Sequence, residues 1–291
     1  MCGIVGLYLK NEKYESQLGR YLEDMLISMT DRGPDSAGFA VYGDKKPNQI
    51  KVTLRNLDES NAEALSKLST SKTVIENHII FGINPDALDA FLDAVAVTAP
   101  HAVVSSVGET MTIFKETGLP KDISARYGLS AMSGTHGIGH TRMATESAVT
   151  SNGAHPFTAG NDLCLVHNGS LSNHRTIGRR LAKAGISLMT DNDSEVAANF
   201  LSWKLQEGMS LGQALEASLE ELDGFYTFVT GTQKGFAVLR DPIACKPAVM
   251  AETDDYVAIG SEYRALSNLP GIENAHLFEP EPARVYTWER N

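Results

Sequence analysis

The first seven residues read MCGIVGL (1–7). Cysteine is scarce in this chain, three residues in 291, and one of the three stands at position 2. The segment behind it, GIVGLYL (3–9), is short and apolar, which predicts a buried strand beginning at the chain end. Chain ends usually fray; a cysteine at the head of a buried strand does not. If Met1 is removed, Cys2 carries a thiol and a free α-amino group on one residue. An α-amino group titrates near about 8, so close to neutrality a useful fraction can take the thiol proton. A thiol beside its own base suits acyl transfer. A small buried cysteine at a strand start is also ordinary packing, so other segments must choose between the two readings.

Four segments bear on that choice. RGPDSAG (32–38) puts Arg32, Gly33 and Asp35 in a tight polar loop. GHTRMAT (139–145) puts Arg142 after a strand, where a guanidinium can grip a carboxylate with two parallel bonds. HNGSLSN (167–173) places the Asn168 amide and the Gly169 N–H at a strand end, a pair of donors able to hold an oxyanion, and Gly169 permits close approach. TDNDSEVAA (190–198) opens a helix; Asp193 is a natural N-cap there, and its carboxylate could also meet an ammonium. Each segment alone has a plain alternative: a turn, a surface charge, an Asn-Gly turn, a cap.

Taken together and in this order, MCGIVG, RGPDSAG, GHTRMAT, HNGSLSN and TDNDSEV resemble the signatures of the class II glutamine amidotransferases, the N-terminal-nucleophile glutaminases. RDPIACKP (240–247) and AIGSEYRAL (258–266) resemble later segments of the amidophosphoribosyltransferase and related branches. The resemblance spans about 1–43 and 107–270 of a domain taken as 1–291, with 44–106 standing as an insertion. It implies an α+β fold, a four-layer α/β/β/α sandwich of two antiparallel sheets. It implies that Cys2 is the nucleophile, that Asn168 and Gly169 hold the oxyanion, and that Arg142 and Asp193 bind the carboxylate and ammonium of glutamine. Arg32 and Gly33 would shape the surroundings of the nucleophile, and Thr145 would line the pocket. Met143 stands where the family often has an aromatic residue, and Glu146 where some relatives carry histidine; both bear on lid contacts.

The implied chemistry has two steps. The Cys2 thiolate attacks the side-chain amide of glutamine, and ammonia leaves. Water then hydrolyses the γ-glutamyl thioester and releases glutamate. Charge pairing at both ends of the amino-acid head would select glutamine. No acceptor region follows the glutaminase segments, so the resemblance extends to the stand-alone glutamine amidotransferase-like subunit of glutamate synthase-like complexes, N-methylglutamate synthase being the best-defined type. It implies separate synthase subunits carrying flavin and iron–sulfur groups, and no cofactor on this chain. Two other readings stay open: a regulatory or scaffolding subunit that keeps the fold without turnover, and the glutaminase half of an amidophosphoribosyltransferase-like system.

Composition sets outer limits. The formal net charge is −11, hydrophobic residues make up 42% and charged residues 21%. That favours a large core and disfavours a nucleic-acid or anionic-membrane surface. The pattern of a cytoplasmic protein with free thiols fits: no apolar stretch spans a bilayer, no secretory leader is visible, and Cys2, Cys164 and Cys245 form no paired motif. Cys164 and Cys245 read as packing residues. His136 and His140 are four apart, but the intervening GIG reads as strand or loop, so the spacing has no helical meaning and no metal site is expected.

Along the chain, 17–29 has helical spacing and 39–43 returns as strand. Residues 50–106 alternate strand, helix, strand (74–83), helix and strand, which could form a ferredoxin-like unit. From 109 onward the pattern is strand-rich, then helical at about 172–184, 193–207 and 210–222. A meander of antiparallel strands, the last over 276–288, completes the chain. Runs of strands and runs of helices place the main body in the α+β class.

Overall fold

The computed structural model describes residues 2–43, 45–144 and 149–290; Thr145 and Glu146 lie outside them. In chain order the first part contains β1 (Gly3–Leu9), α1 (Leu18–Ser28) and β2 (Ser36–Tyr42). Next come β3 (Ile50–Arg55), α2 (Glu59–Ser66), β4 (Ser71–Ile75), β5 (His78–Ile83), α3 (Leu88–Thr98) and β6 (Val103–Gly108). The centre holds β7 (Met111–Thr117), α4 (Pro120–Tyr127), β8 (His136–Arg142), β9 (Phe157–Thr158) and β10 (Cys164–Leu171). Three helices follow: α5 (His174–Lys183), α6 (Asp193–Gln206) and α7 (Leu211–Glu221). The last strands are β11 (Gly224–Thr232), β12 (Gly235–Arg240), β13 (Val249–Glu252), β14 (Tyr256–Gly260), β15 (His276–Phe278) and β16 (Val285–Glu289).

Alternation along β1 explains the layering. β1 lies mid-sheet, in the order β15-β13-β14-β1-β8-β2-β7, antiparallel to β14 and β8. Val5, Leu7 and Leu9 point to one face and pack with Leu22, Met25 and Leu26 of α1, and with Ile123 and Tyr127 of α4. Ile4 and Tyr8 point to the other face and meet Val166, Val229, Phe236 and Val238 of a second sheet, ordered β16-β12-β11-β10-β9. Gly6 lets the two sheets approach: a Cβ there would sit 2.9 Å from Ile259 Cγ2 and 3.3 Å from Val229 Cγ1. The far face of the second sheet, with Leu165, Phe228 and Leu239, packs on Ile177, Leu181, Phe200, Leu201 and Leu215 of α5–α7. Helices, sheet, sheet and helices make the expected four-layer α/β/β/α sandwich. Burying a side chain of this kind contributes about 1.5–3 kcal/mol, and β1 buries residues on both of its faces.

Residues 50–108 form a third antiparallel sheet, β4-β5-β3-β6, covered by α2 and α3 over a core of Val52, Leu54, Leu65, Phe81, Phe91 and Val95. Its β-α-β-β-α-β order is that of a ferredoxin-like split βαβ unit. The single strand expected over 74–83 is instead a hairpin, because Glu76 adopts a left-handed φ of 54° and reverses the chain between β4 and β5.

Two more differences have local causes. α4 falls in a stretch read as strand-rich, yet it has both punctuation marks of a helix: Pro120 at its start and Gly128, φ 68°, at its C-cap. The stretch 276–288 is two strands in two different sheets, β15 and β16, interrupted at Pro280 and Pro282, which cannot donate to a ladder. The final strands are therefore shared between sheets instead of forming one meander. Among the described residues, no helix is long and apolar enough to cross a membrane.

The sandwich buries histidines as neutral rings. His136 donates from Nε2 to Thr232 O at 2.9 Å and stacks on Tyr42 at 4.0 Å. His140 donates from Nε2 to His167 O at 3.1 Å. Burial pushes both down to about 3. Unfolded, they titrate near about 6.5, so between those two values the unfolded chain holds more protons and stability falls as pH falls. Together these two rings are expected to make the protein about 2–3 kcal/mol less stable at pH 5.5 than at pH 7.5, read from urea midpoints across that range.

Candidate functional site

Cys2 sits at the head of β1, half-buried, and its main chain is held from two sides. Arg32 Nε donates to the Cys2 carbonyl at 2.9 Å, and Asn168 Nδ2 donates to the same oxygen at 3.2 Å. Arg32 is itself fixed by Glu262, Nη1 to Oε1 at 2.7 Å. Two residues further on, Ile4 and Ser261 exchange two bonds: Ile4 N donates to Ser261 Oγ at 2.9 Å, and Ser261 N donates to Ile4 O at 3.0 Å. The Cys2 thiol lies 3.9 Å from the carbonyl of Met143. Residues separated by up to about 260 positions thus meet around the first turn of β1.

Arg142 ends β8, next to the site because Gly3 pairs with Thr141. It is 8% exposed, and a Cβ placed on Gly153 would lie 3.4 Å from its Nη1. Gly33 presses against the main chain of Thr141 and Arg142, where any side chain would overlap those atoms. Asp35 bridges the same region: its N–H donates to Arg142 O at 3.1 Å, and its Oδ2 accepts from Ala144 N at 2.8 Å. The turn at 32–35, just before β2, is therefore a clamp on the end of β8, which its sequence of turn residues does not announce.

Asn168 and Gly169 lie near the end of β10. Gly169 has φ 155°, and a Cβ there would overlap Phe225 O of the neighbouring strand, so backbone conformation and close packing both call for glycine. Asp193 accepts at Oδ2 from Leu171 N, 2.9 Å, which ties the start of α6 to the end of β10. Its side chain keeps 22% exposure. The N-cap of α6 is Asn192, not Asp193: Asn192 Oδ1 accepts from Ser194 N at 2.9 Å, and the helix begins one residue earlier than the capping reading placed it. That leaves the Asp193 carboxylate free of the capping role.

Beneath these residues runs a layer of buried polar side chains, among them His140. Ser194 Oγ lies 2.9 Å from both His155 Nε2 and His167 Nδ1. His140 and His155 stack at 4.0 Å. His167 Nδ1 lies 3.7 Å from Asp193 Oδ1. Three of the four members adjoin a candidate site residue in sequence: His140 precedes Arg142 by two positions, His167 precedes Asn168, and Ser194 follows Asp193; His155 adjoins none. Burial pushes His155 well below the usual histidine range and also lowers His167, against the pull of Asp193. Among the described residues no group of three or more His, Cys, Asp or Glu side chains is arranged to hold a metal ion.

The other two cysteines diverge. Cys164 is packed between the sheets with its sulfur 3.2 Å from the Tyr42 hydroxyl, and burial pushes its thiol up to about 12. Cys245, expected to be a packing residue, is exposed. The Asp241 carboxylate accepts from Ile243 N and Ala244 N and turns the chain outward after β12.

A family model described as a glutamine amidotransferase domain matches residues 140–268. The chain is 54% identical to the glutamine amidotransferase-like protein GlxB of Rhizobium meliloti, covering 99% of this chain and 98% of that one. It is 32% identical to a putative glutamine amidotransferase of Methanothermobacter thermautotrophicus, covering 98% and 99%. The glutamine phosphoribosylpyrophosphate amidotransferase of B. subtilis, solved with ADP and GMP, superposes with a TM-score of 0.65 at 21% identity. This chain is covered to 99% and spans 47% of that one, about half its length. The chain belongs to the class II glutamine amidotransferase family.

The Ser194 hydroxyl is the shared partner of two buried imidazoles. Ser194→Ala leaves both without it, and an unsatisfied buried polar group costs about 1–3 kcal/mol. The variant is expected to lose roughly 2 kcal/mol of stability, measured by urea unfolding at pH 7.5, with the antiparallel sheets intact by circular dichroism.

Proposed function

We propose that this chain is a glutaminase that hydrolyses the side-chain amide of glutamine through a thioester on Cys2. The observation that carries the reading is the seat of Cys2. Its carbonyl is held by Arg32 and Asn168 at the head of a strand buried on both faces, with the ends of β8 and β10 beside it. Cleavage of the peptide bond before Cys2 would free an amine next to the thiol. The thiol proton passes to that amine, the sulfur attacks the amide carbon, and the oxyanion is met by the Asn168 amide and the Gly169 N–H. The protonated amine then gives its proton to departing ammonia. Water, deprotonated by the same amine, cleaves the thioester to glutamate. Arg142 pairs with the glutamine carboxylate and Asp193 with its ammonium, so that a substrate lacking either charge leaves a buried group unmatched.

Separate synthase subunits of a glutamate synthase-like complex, of the N-methylglutamate synthase type, are the acceptor side of this reading. Its support comes from the relatives: GlxB and the Methanothermobacter protein are matched over 98% and 99% of their lengths, so those proteins hold little beyond this fold. The third sheet at 50–108 then stands as an inserted unit available to such a partner.

Two variants test the chemistry. Cys2→Ala should lower glutamine hydrolysis at least about 1000-fold while leaving glutamine binding measurable. Equal turnover in the variant, or no mass gain on Cys2 when the protein with a free Cys2 amine meets a diazoketone analogue of glutamine, sinks the nucleophile assignment. Arg142→Lys loses the planar fork and should raise KM for glutamine about 10-fold or more with a smaller change in kcat; steady-state kinetics against glutamine read the split.

A further inference from the structure

Two buried cations from different sheets face one narrow cleft away from Cys2. Arg55, at the end of β3, is 2% exposed, and Lys115, in β7, is 7% exposed. The cleft lies where the third sheet meets the main sandwich, lined by Arg55, Ser105, Lys115, Asn152, Thr190 and Glu195 among others. Its volume of about 40 Å³ is room for roughly three waters, or for one carboxylate-sized group.

The bonding of these cations is to neutral atoms. Arg55 donates from Nε to Ser105 Oγ at 2.9 Å and from Nη2 to Asn152 Oδ1 at 2.7 Å; its Nη1 has no acceptor among the described residues. Lys115 Nζ donates to Ala154 O at 2.8 Å, Pro156 O at 3.0 Å and, more weakly, Asn152 O at 3.5 Å, and lies 4.5 Å from the centre of the Phe157 ring; it acts on the cleft through its charge. Neither cation forms an ion pair within 4.0 Å among the described residues. The carboxylate on the cleft wall, Glu195, has its oxygens engaged by Met189 N at 2.6 Å, Thr190 N at 2.7 Å and Thr190 Oγ1 at 2.6 Å. Buried charges are ordinarily paired. Here Arg55 feels Glu116 of β7 without forming an ion pair with it, and the carboxylate on the cleft wall, Glu195, points its oxygens into a neighbouring loop.

We infer that this cleft is a binding site for a small monoanionic carboxylate, gripped by the Arg55 guanidinium with Lys115 supplying the second positive charge. The planar fork of Arg55 matches a planar carboxylate. The volume excludes a bulkier acid, and Glu195 on the same wall disfavours a dianion. The bound group would sit at the joint between the third sheet and the sandwich. Asn152, the partner of Arg55, adjoins Gly153 beside Arg142, so the site shares a loop with the proposed glutamine clamp but none of its residues.

A proton should accompany the anion. Burial, aided by Arg55, holds Lys115 down to about 7. The charged and titratable groups facing it are Arg55 of β3, His78 of β5, His155, Cys164 of β10 and Glu195 of α6. A carboxylate in the cleft favours the charged lysine, raises its pKa, and so draws in protons between pH 7 and 8.

The experiment is thermal unfolding and calorimetry of the full chain with sodium acetate against sodium chloride at equal ionic strength, at pH 7.5. Acetate should raise the unfolding temperature in a saturable way. Calorimetry in two buffers of different ionisation enthalpy should show proton uptake. Arg55→Met should abolish the effect, and Arg55→Lys, which keeps the charge and is gentler on folding, should weaken binding about 10-fold or more. Arg142→Met should retain the full response, which separates this cleft from the glutamine clamp even if the clamp assignment fails. The inference is overturned if acetate acts no differently from chloride, if the Arg55→Lys protein responds like the parent, if Arg142→Met removes the response, or if sodium phosphate stabilises as strongly as acetate.

Discussion

The carbonyl of Cys2 accepts hydrogen bonds from Arg32 and from Asn168, and the rest of the molecule is arranged so that this can happen. One donor comes from the loop that ends at β2, the other from β10 in the opposite sheet. A chain end ordinarily has the lowest local stability in a fold. Here it enters a strand whose seven residues are all buried, paired on both edges and packed on both faces. The strand is packed on both faces because helices α1 and α4 cover one side of its sheet and a second sheet, backed by α5–α7, covers the other.

Polar side chains also meet beneath the candidate site, where β8 and β10 approach the start of α6. Ser194 joins His155 and His167, His140 stacks on His155, and His167 approaches Asp193. These contacts link β8, the segment before β9, β10 and the first turn of α6, which are the elements that present Arg142, Asn168, Gly169 and Asp193. A buried polar layer of this kind is rigid when satisfied and costly when broken. It gives the candidate site a common floor, so that displacement of one presenting element is felt by the others.

Much of this was visible beforehand in short-range pattern. The apolar run 3–9, the helical spacing over 17–29, the turn chemistry of 32–38, the strand running into Asn168–Gly169 and the three helices between about 172 and 222 are all local signals, and each element forms where its residues predict it. The misreadings are also local and have local causes. The pattern over 74–83 reads as one strand but forms a hairpin at the left-handed Glu76, α4 forms between Pro120 and Gly128 in a stretch that reads as strand, and the stretch with two prolines is two strands. Asn192 fills the cap that the sequence offers to Asp193, and the Asp241 turn carries Cys245 to the surface.

By itself the sequence determined the order of chemistry-bearing segments, the strand that begins at residue 3 and the α+β alternation, because side-chain periodicity and turn preference act over a few residues. Only the tertiary structure decided which distant groups meet. The partnership of Arg32 with Glu262, the clamp of Asp35 on the end of β8, the Ser194–histidine layer and the shared cleft of Arg55 and Lys115 join residues up to 230 positions apart. No short-range pattern encodes such pairs. They exist because the apolar faces of sheets and helices must be buried together, and that packing brings together whichever polar groups lie at the edges of the contact.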